Sequence, residues 1–255
     1  MRRRTLLISG MAGIALIGGG CSAPEEPPPT GSKFRSPSPL PSMDDSVRQE
    51  LIAALQRTQT VPYQYTVKSD LTRGDWLEGS GAVDIAARRY RSTINSSGGP
   101  LPEVLERINI GTDSYARRGG DKKWVRLDMS RVSAKSFAYF DMADPIGLVK
   151  FISTVALAER TGPHGYSGWF NPNGIDDPFL PVGAPSLYGF GLRGTPFQVT
   201  TDEHGWVTSL TLTLTDPEDS GKLTMTTTFS GHGKPLKIAA PARSATLEAD
   251  DFWYA

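Results

Sequence analysis

The chain has 255 residues, enough for one large or two small domains, with 27 Lys and Arg against 27 Asp and Glu. The first twenty residues carry three Arg and no acid, so the remainder holds 24 basic against 27 acidic residues, a net charge of −3. A mildly acidic chain without a Lys/Arg cluster argues against nucleic acid as a partner.

Arg2, Arg3 and Arg4 make a charged start, followed by an apolar run from Thr5 to Ile17. That run is too short and too interrupted by Gly for a membrane span, so residues 1–20 read as an export signal. Arg3-Arg4-Thr5-Leu6-Leu7 also fits a loose twin-Arg pattern, which leaves the export route open. The run ends at Gly18-Gly19-Gly20-Cys21, and Cys21 is the only cysteine. This placement resembles a bacterial lipobox, in which the Cys is lipidated and becomes the mature N-terminus. Gly19 and Gly20 fit the pattern, while Gly18 stands where Leu is usual. An ordinary secretory signal cut nearby is the plainer alternative. A single Cys in an exported chain forms no internal disulfide, which favours the lipid anchor. Residues 21–43, rich in Pro and Ser with almost nothing to bury, read as an extended tether.

Residues 44–255 read as one folded domain. Asp45 or Ser46 is placed to cap a helix running to about Gln59, with Val47, Leu51, Ile52 and Leu55 as its apolar stripe. After Pro62, strand patterns come in series: Tyr63 to Leu71, Trp76 to Ile85, Arg88 to Ile94, Val104 to Ile110, Ser114 to Arg118 and Lys123 to Leu127. Short strands at near-regular spacing describe a meander.

Asp144-Pro145 opens a second predicted helix, with Asp as N-cap and Pro at its first position. It is expected to run through Ile146, Leu148, Val149, Phe151, Ile152, Val155 and Leu157 to Arg160. Apolar residues cover more than half its circumference, so it should be buried on most sides. Residues 161–194 differ from the rest, with Gly, Pro and Asn punctuating Tyr166, Trp169, Phe170, Phe179, Tyr188 and Phe190. We read this stretch as a partly ordered aromatic flap over an oily sheet face, with an ordinary packed loop as the alternative.

Pro196 to Asp202 resumes alternation, and the stretch from Trp206 to Ser230 is the most legible in the chain. Trp206, Thr208, Leu210, Leu212 and Leu214 alternate with Ser209, Thr211, Thr213 and Thr215. After a turn at Asp219-Ser220-Gly221, Leu223, Met225 and Phe229 alternate with Thr224, Thr226, Thr228 and Ser230. This is an antiparallel hairpin with one oily and one wet face. An oily face of that length needs a cover. A final extended stretch, Leu236 to Ala239, leads to a tail ending in Phe252-Trp253-Tyr254.

Chemical motifs are weak. Gly189-Phe190-Gly191-Leu192-Arg193-Gly194 matches a dinucleotide string, but it leads into a strand instead of opening a helix. Asn171 to Asp177 gathers oxygen side chains around Gly174 without EF-hand spacing, and reads as a turn. His164, His204 and His232 lack zinc-ligand spacing and read as turn residues. Gly165-Tyr166-Ser167-Gly168 lacks the context of a nucleophile elbow. The carboxylates Asp141, Asp144, Asp176 and Asp177 give no pair held at working distance. No catalytic residue, metal site or cofactor is assigned, and the chain reads as non-enzymatic.

The Cys21 start, the helix before Tyr63, the Trp-containing segment Asp113 to Leu127, the Asp144-Pro145 helix, and the run from Asp202 through Gly233-Lys234-Pro235 together resemble the LppX/LprG group of actinobacterial lipoproteins. That group lies within the broader LolA-like half-barrel architecture. The likeness covers Asp45 to Pro241 except the flap, where the group usually has a further strand. The resemblance implies an α+β fold: a strongly curved antiparallel sheet, helices on its concave side, and an apolar cavity between. It also implies a lipid or lipoglycan ligand. The expected protein is a monomer held by its lipid anchor at the extracytoplasmic face of the cell membrane. Leu148, Phe151, Ile152 and Val155 are the expected lining from the second helix. Leu210, Leu212, Leu214, Met225 and Phe229 are the expected lining from the hairpin, with Trp169 and Phe170 at the mouth. The alternative is an envelope sensor lipoprotein that docks a protein partner through the flap or the C-terminal tail.

Overall fold

In the computed structural model the described residues are 45–97, 103–136, 138–171, 195–215 and 221–254. The export signal, Cys21 and the tether lie outside them. So do residues 172–194, with the dinucleotide-like string and most of the Asn/Asp cluster.

Helix α1 (Ser46–Gln59) buries Leu51, Ala54, Leu55 and Thr58; of the expected stripe Leu51 and Leu55 are buried, while Val47 and Ile52 are half-buried. Asp45 occupies the N-cap position, yet its carboxylate accepts hydrogen bonds from the Arg48 and Gln49 side chains instead of the helix backbone. Those bonds hold its pKa down to about 2. A first meander follows: β1 (Tyr63–Asp70), β2 (Trp76–Asp84), β3 (Arg89–Ser96), β4 (Glu103–Ile110), β5 (Asp113–Arg118) and β6 (Trp124–Asp128). An irregular segment, 129–147, then leads to helix α2 (Leu148–Thr154). The second meander is β7 (Val155–Gly162), β8 (Gly165–Phe170), β9 (Thr195–Thr201), β10 (Val207–Thr215) and β11 (Lys222–Ser230), with a short β12 (Thr246–Glu248) near the C-terminus.

All twelve strands of the described residues join one sheet in the order β12-β6-β5-β4-β3-β2-β1-β11-β10-β9-β8-β7. The two meanders are stitched by the antiparallel β1–β11 pair, and only β12 is parallel to its neighbour. The α+β half barrel expected from the sequence is what the structure has: a large, open, curved antiparallel sheet with two helices.

Three sequence readings are corrected. The second helix does not extend from Pro145 to Arg160. It has seven residues, and from Val155 the chain continues as an edge strand paired with β8. The apolar run looked like a helix greasy all round because it splices a short helix to a strand, and short apolar runs do not distinguish the two. The N-cap is Gly147 in place of Asp144, and Leu148 in place of Pro145 opens the helix; the Asp144 carboxylate, three residues earlier, still accepts the Val149 and Lys150 N–H groups at 2.9 Å each. Burial nevertheless raises its carboxyl pKa. The flap, where described, is likewise strand: Thr161 and Gly162 end β7, and Gly165 to Phe170 form β8.

Gly168 explains why β8 resembled a loop. A Cβ there would run into the Leu157 carbonyl oxygen and the Phe197 ring, so glycine is what lets β8 lie this close to both. The third correction is on β10. A register shift between Val207 and Ser209 makes a bulge that turns Val207 into the core in place of Trp206 and Thr208. Thr208 points outward instead, its hydroxyl 2.9 Å from that of Thr200.

Candidate functional site

The sheet face that carries the core is the inner face here, and most of the residues expected to line a cavity are packed into that core; two pockets of about 340 and 510 Å³ among the described residues include none of them. Leu148 and Phe151 of α2, Val155 of β7, and Leu210, Leu212 and Leu214 of β10 are buried in one cluster with Met225 and Phe229 of β11. Ile152 packs half-buried against them. Phe170, expected at a mouth, is fully buried in the same cluster, its ring centroid 5.2 Å from that of Phe151. Trp169 is 48% exposed and points to the opposite face, as alternation along β8 requires.

The sequence reading missed the other half of this face. Tyr63, Tyr65 and Val67 of β1 alternate inward, and Tyr90 and Ile94 of β3 join them. Tyr65 reaches over Gly81 of β2, where a Cβ would collide with its ring, and its hydroxyl meets that of Tyr90 at 2.9 Å. Helix α1 packs against β7, β10 and α2, toward the other end of the sheet. Over the first meander the cover comes instead from segment 129–147. Phe140, Met142 and Ile146 of that segment join the main cluster, and Val132 and Ala138 join a smaller one with Leu127.

Between these two clusters the inner face turns polar. At the level of Tyr63 the in-register partners run Val83, Tyr90, Asn109, Ser114 and Leu127. One level along they run Tyr65, Gly81, Ser92, Arg107, Ala116 and Val125. Ser92, Arg107, Asn109 and Ser114 are thus neighbours on a surface that is apolar on either side. Arg107 donates to the Ser114 hydroxyl at 3.3 Å, and that hydroxyl donates to the Asn109 side-chain oxygen at 3.4 Å. Asn109 is fully buried, and among the described residues its Nδ2 has no hydrogen-bond partner.

The guanidinium of half-buried Arg107 lies 4.7 Å from the Phe140 ring centroid, and that ring sits 4.9 Å from the Tyr90 ring. Among the described residues no carboxylate pairs with Arg107, whereas Arg117 and Arg126 both have acidic partners. Burial pushes the Arg107 pKa below the ordinary value and raises those of Tyr65 and Tyr90.

In the tail, Trp253 and Tyr254 pack against the smaller cluster, and the Tyr254 hydroxyl accepts the Asp128 N–H at 3.1 Å. Phe252 is left 70% exposed. His232 is more than a turn residue. It stacks on Trp206 with centroids 5.4 Å apart, and its buried Nε2 has no hydrogen-bond partner among the described residues.

Burial lowers the His232 pKa, against the opposing pull of Asp202 and a hydrogen bond to the Val207 backbone. A histidine whose folded pKa lies below its unfolded one contributes stability that is whole above the unfolded pKa, ~6.5, and lost as pH falls through the folded pKa. The native protein should therefore lose more stability between pH 7 and pH 5 than the H232Q variant does. Urea midpoints at several pH values check this, and parallel pH profiles would refute it.

No family model matches the chain, and no curated protein does. Solved structures do show likeness. An uncharacterized conserved protein from Thermus thermophilus is 9% identical, covering 79% of this chain and 98% of its own, at a TM-score of 0.42. The LolA superfamily protein NE2245 from Nitrosomonas europaea is 10% identical, covering 78% and 97%, at 0.28. MucB, solved in complex with MucA(peri), is 12% identical, covering 77% of this chain and 58% of its own, at 0.29.

Proposed function

We propose that the protein is a non-enzymatic lipoprotein, akin to the LppX/LprG group, that binds or carries a lipid or lipoglycan at the extracytoplasmic face of the cell membrane. Cys21 would be its lipid anchor and residues 21–43 its tether. The observation that carries the reading is a mismatch of cover. The inner face is apolar over β1–β3 and β7–β11, and the helices laid on it among the described residues have only 14 and 7 residues. The rest of the cover is irregular chain, and a segment with few regular backbone hydrogen bonds opens at lower cost than a packed helix. Burying an acyl chain of about a dozen CH₂ groups, at ~0.8 kcal/mol each, yields on the order of 10 kcal/mol before ordering costs.

Native mass spectrometry after mild extraction from the host tests the reading. A lipid-sized adduct is expected. A protein that leaves its host bare, and takes up nothing from mixed-lipid vesicles, would refute it. The anchor has its own check: C21A should move the protein from the membrane fraction to the soluble one.

A further inference from the structure

We propose that Arg107 and Asn109 form a head-group site for an anion, so that the bound lipid is acidic, bearing a carboxylate or phosphate, and not a neutral ester. The inference rests on the lipid-binding reading and specifies its ligand.

The argument starts from an imbalance of donors. Arg107 has five N–H groups, of which one meets the Ser114 hydroxyl, and no carboxylate of the described residues answers its charge. Asn109 adds a fully buried Nδ2 with no acceptor. An interior that takes in a cation usually supplies its counter-charge, and a buried donor usually finds an acceptor, because leaving either unmet is costly. Here both lacks fall side by side. The register sets Arg107 beside Ser92 and Asn109 beside Tyr90, with the Tyr65–Tyr90 hydroxyl pair at the border. What such a site lacks is a compact group rich in acceptors. A carboxylate or phosphate fits, since its oxygens take two guanidinium N–H groups at once.

The surroundings favour an amphiphile over a free ion. The polar patch is flanked by the main apolar cluster on one side and by Val125 and Leu127 on the other. A head group at Arg107 would lay its chain along Tyr65, Tyr90 and Ile94 toward β1. Phe140 now rests on both Arg107 and Tyr90, so it occupies the face such a ligand would use. It belongs to segment 129–147, the irregular cover of this half of the sheet.

The test uses full-length protein stripped of lipid, with oleate, methyl oleate and inorganic phosphate as probes. Oleate and its methyl ester share a chain and differ in charge. Oleate should bind about tenfold or more tightly than the ester, the scale of charge-assisted hydrogen bonds. R107M should bring oleate binding down to the level its own methyl oleate binding shows, abolishing that preference, and R107K should restore part of it. N109D offers a second route should R107M fail to fold. A carboxylate beside Arg107 should remove the oleate preference and raise stability, a combination that a purely structural role for the pair would not produce. Equal binding of oleate and ester by the native protein would overturn the head-group site and leave lipid binding intact. Binding of neither would sink the lipid reading itself. Saturable binding of phosphate alone, dependent on Arg107 and without oleate uptake, would overturn the lipid source of the anion.

Discussion

Replacing Phe151 by Ala is expected to destabilise the protein by about 3–5 kcal/mol, the usual range for deleting a fully buried aromatic ring. Phe151 has no exposed surface, and it meets Phe170 and Phe197 edge-on at centroid distances of 5.2 and 5.4 Å. Those partners belong to β8 and β9, so this one ring fastens α2 to the second meander. Helix α2 has only seven residues, far below the length at which a helix holds itself together in water. Its position therefore depends on what it buries, and Leu148 and Phe151 are its two fully buried large side chains. Phe151→Leu keeps part of the packing and should cost less. Urea unfolding of lipid-stripped protein checks both variants, because bound lipid would stabilise the folded state by mass action and mask the difference. An F151A midpoint within about 1 kcal/mol of the native one would mean that α2 is not held by this contact.

The strands of both meanders were readable wherever inward and outward residues differ in kind. Tyr63 to Asp70 alternates buried and exposed without exception, and Lys222 to Ser230 keeps strict inward–outward alternation. The reading failed where that contrast fades. In β8, Gly165 and Gly168 suggested a loop, although Gly168 is demanded by the closeness of Leu157 and Phe197. In β12, three residues are too few to show a period.

Strand β4 was recognised, but its role was not. Val104, Glu106 and Ile108 alternate with Leu105, Arg107 and Asn109, so each face mixes apolar and polar residues. Composition alone did not reveal which set faces inward. Arg107 acquires meaning only through the register that sets it against Ser92 and Ala116, beneath a ring contributed from 33 positions further along the chain. The lipid-facing residues named from sequence were apolar because apolarity was the only signal sought. Nine of the eleven are buried in a single core cluster, and that cluster alone does not separate ligand contacts from ordinary packing.

The second large effect is expected at Thr58, where a side chain of α1 completes the backbone of β10. The bulge leaves Thr208 out of the register between the Val207–Thr201 and Ser209–Thr200 pairs and turns Val207 into the core. The buried Val207 N–H goes to a side chain of α1. Thr58, itself fully buried, accepts that N–H at 3.1 Å while donating its own hydroxyl to the Ala54 carbonyl at 3.1 Å. Thr58→Val keeps the shape and removes the acceptor, stranding the Val207 N–H at a cost of about 1–3 kcal/mol. Thr58→Ser keeps the hydroxyl and removes only a methyl, so it should cost about 1 kcal/mol. Amide exchange gives the sharper readout. The Val207 N–H should be well protected in the native protein and in T58S, and should exchange markedly faster in T58V. If the valine variant matches the serine variant in both stability and exchange, the Val207 amide is satisfied elsewhere. The bulge would then not depend on α1. If the two differ as expected, the helix holds β10 in the register that turns Val207 inward and Thr208 outward.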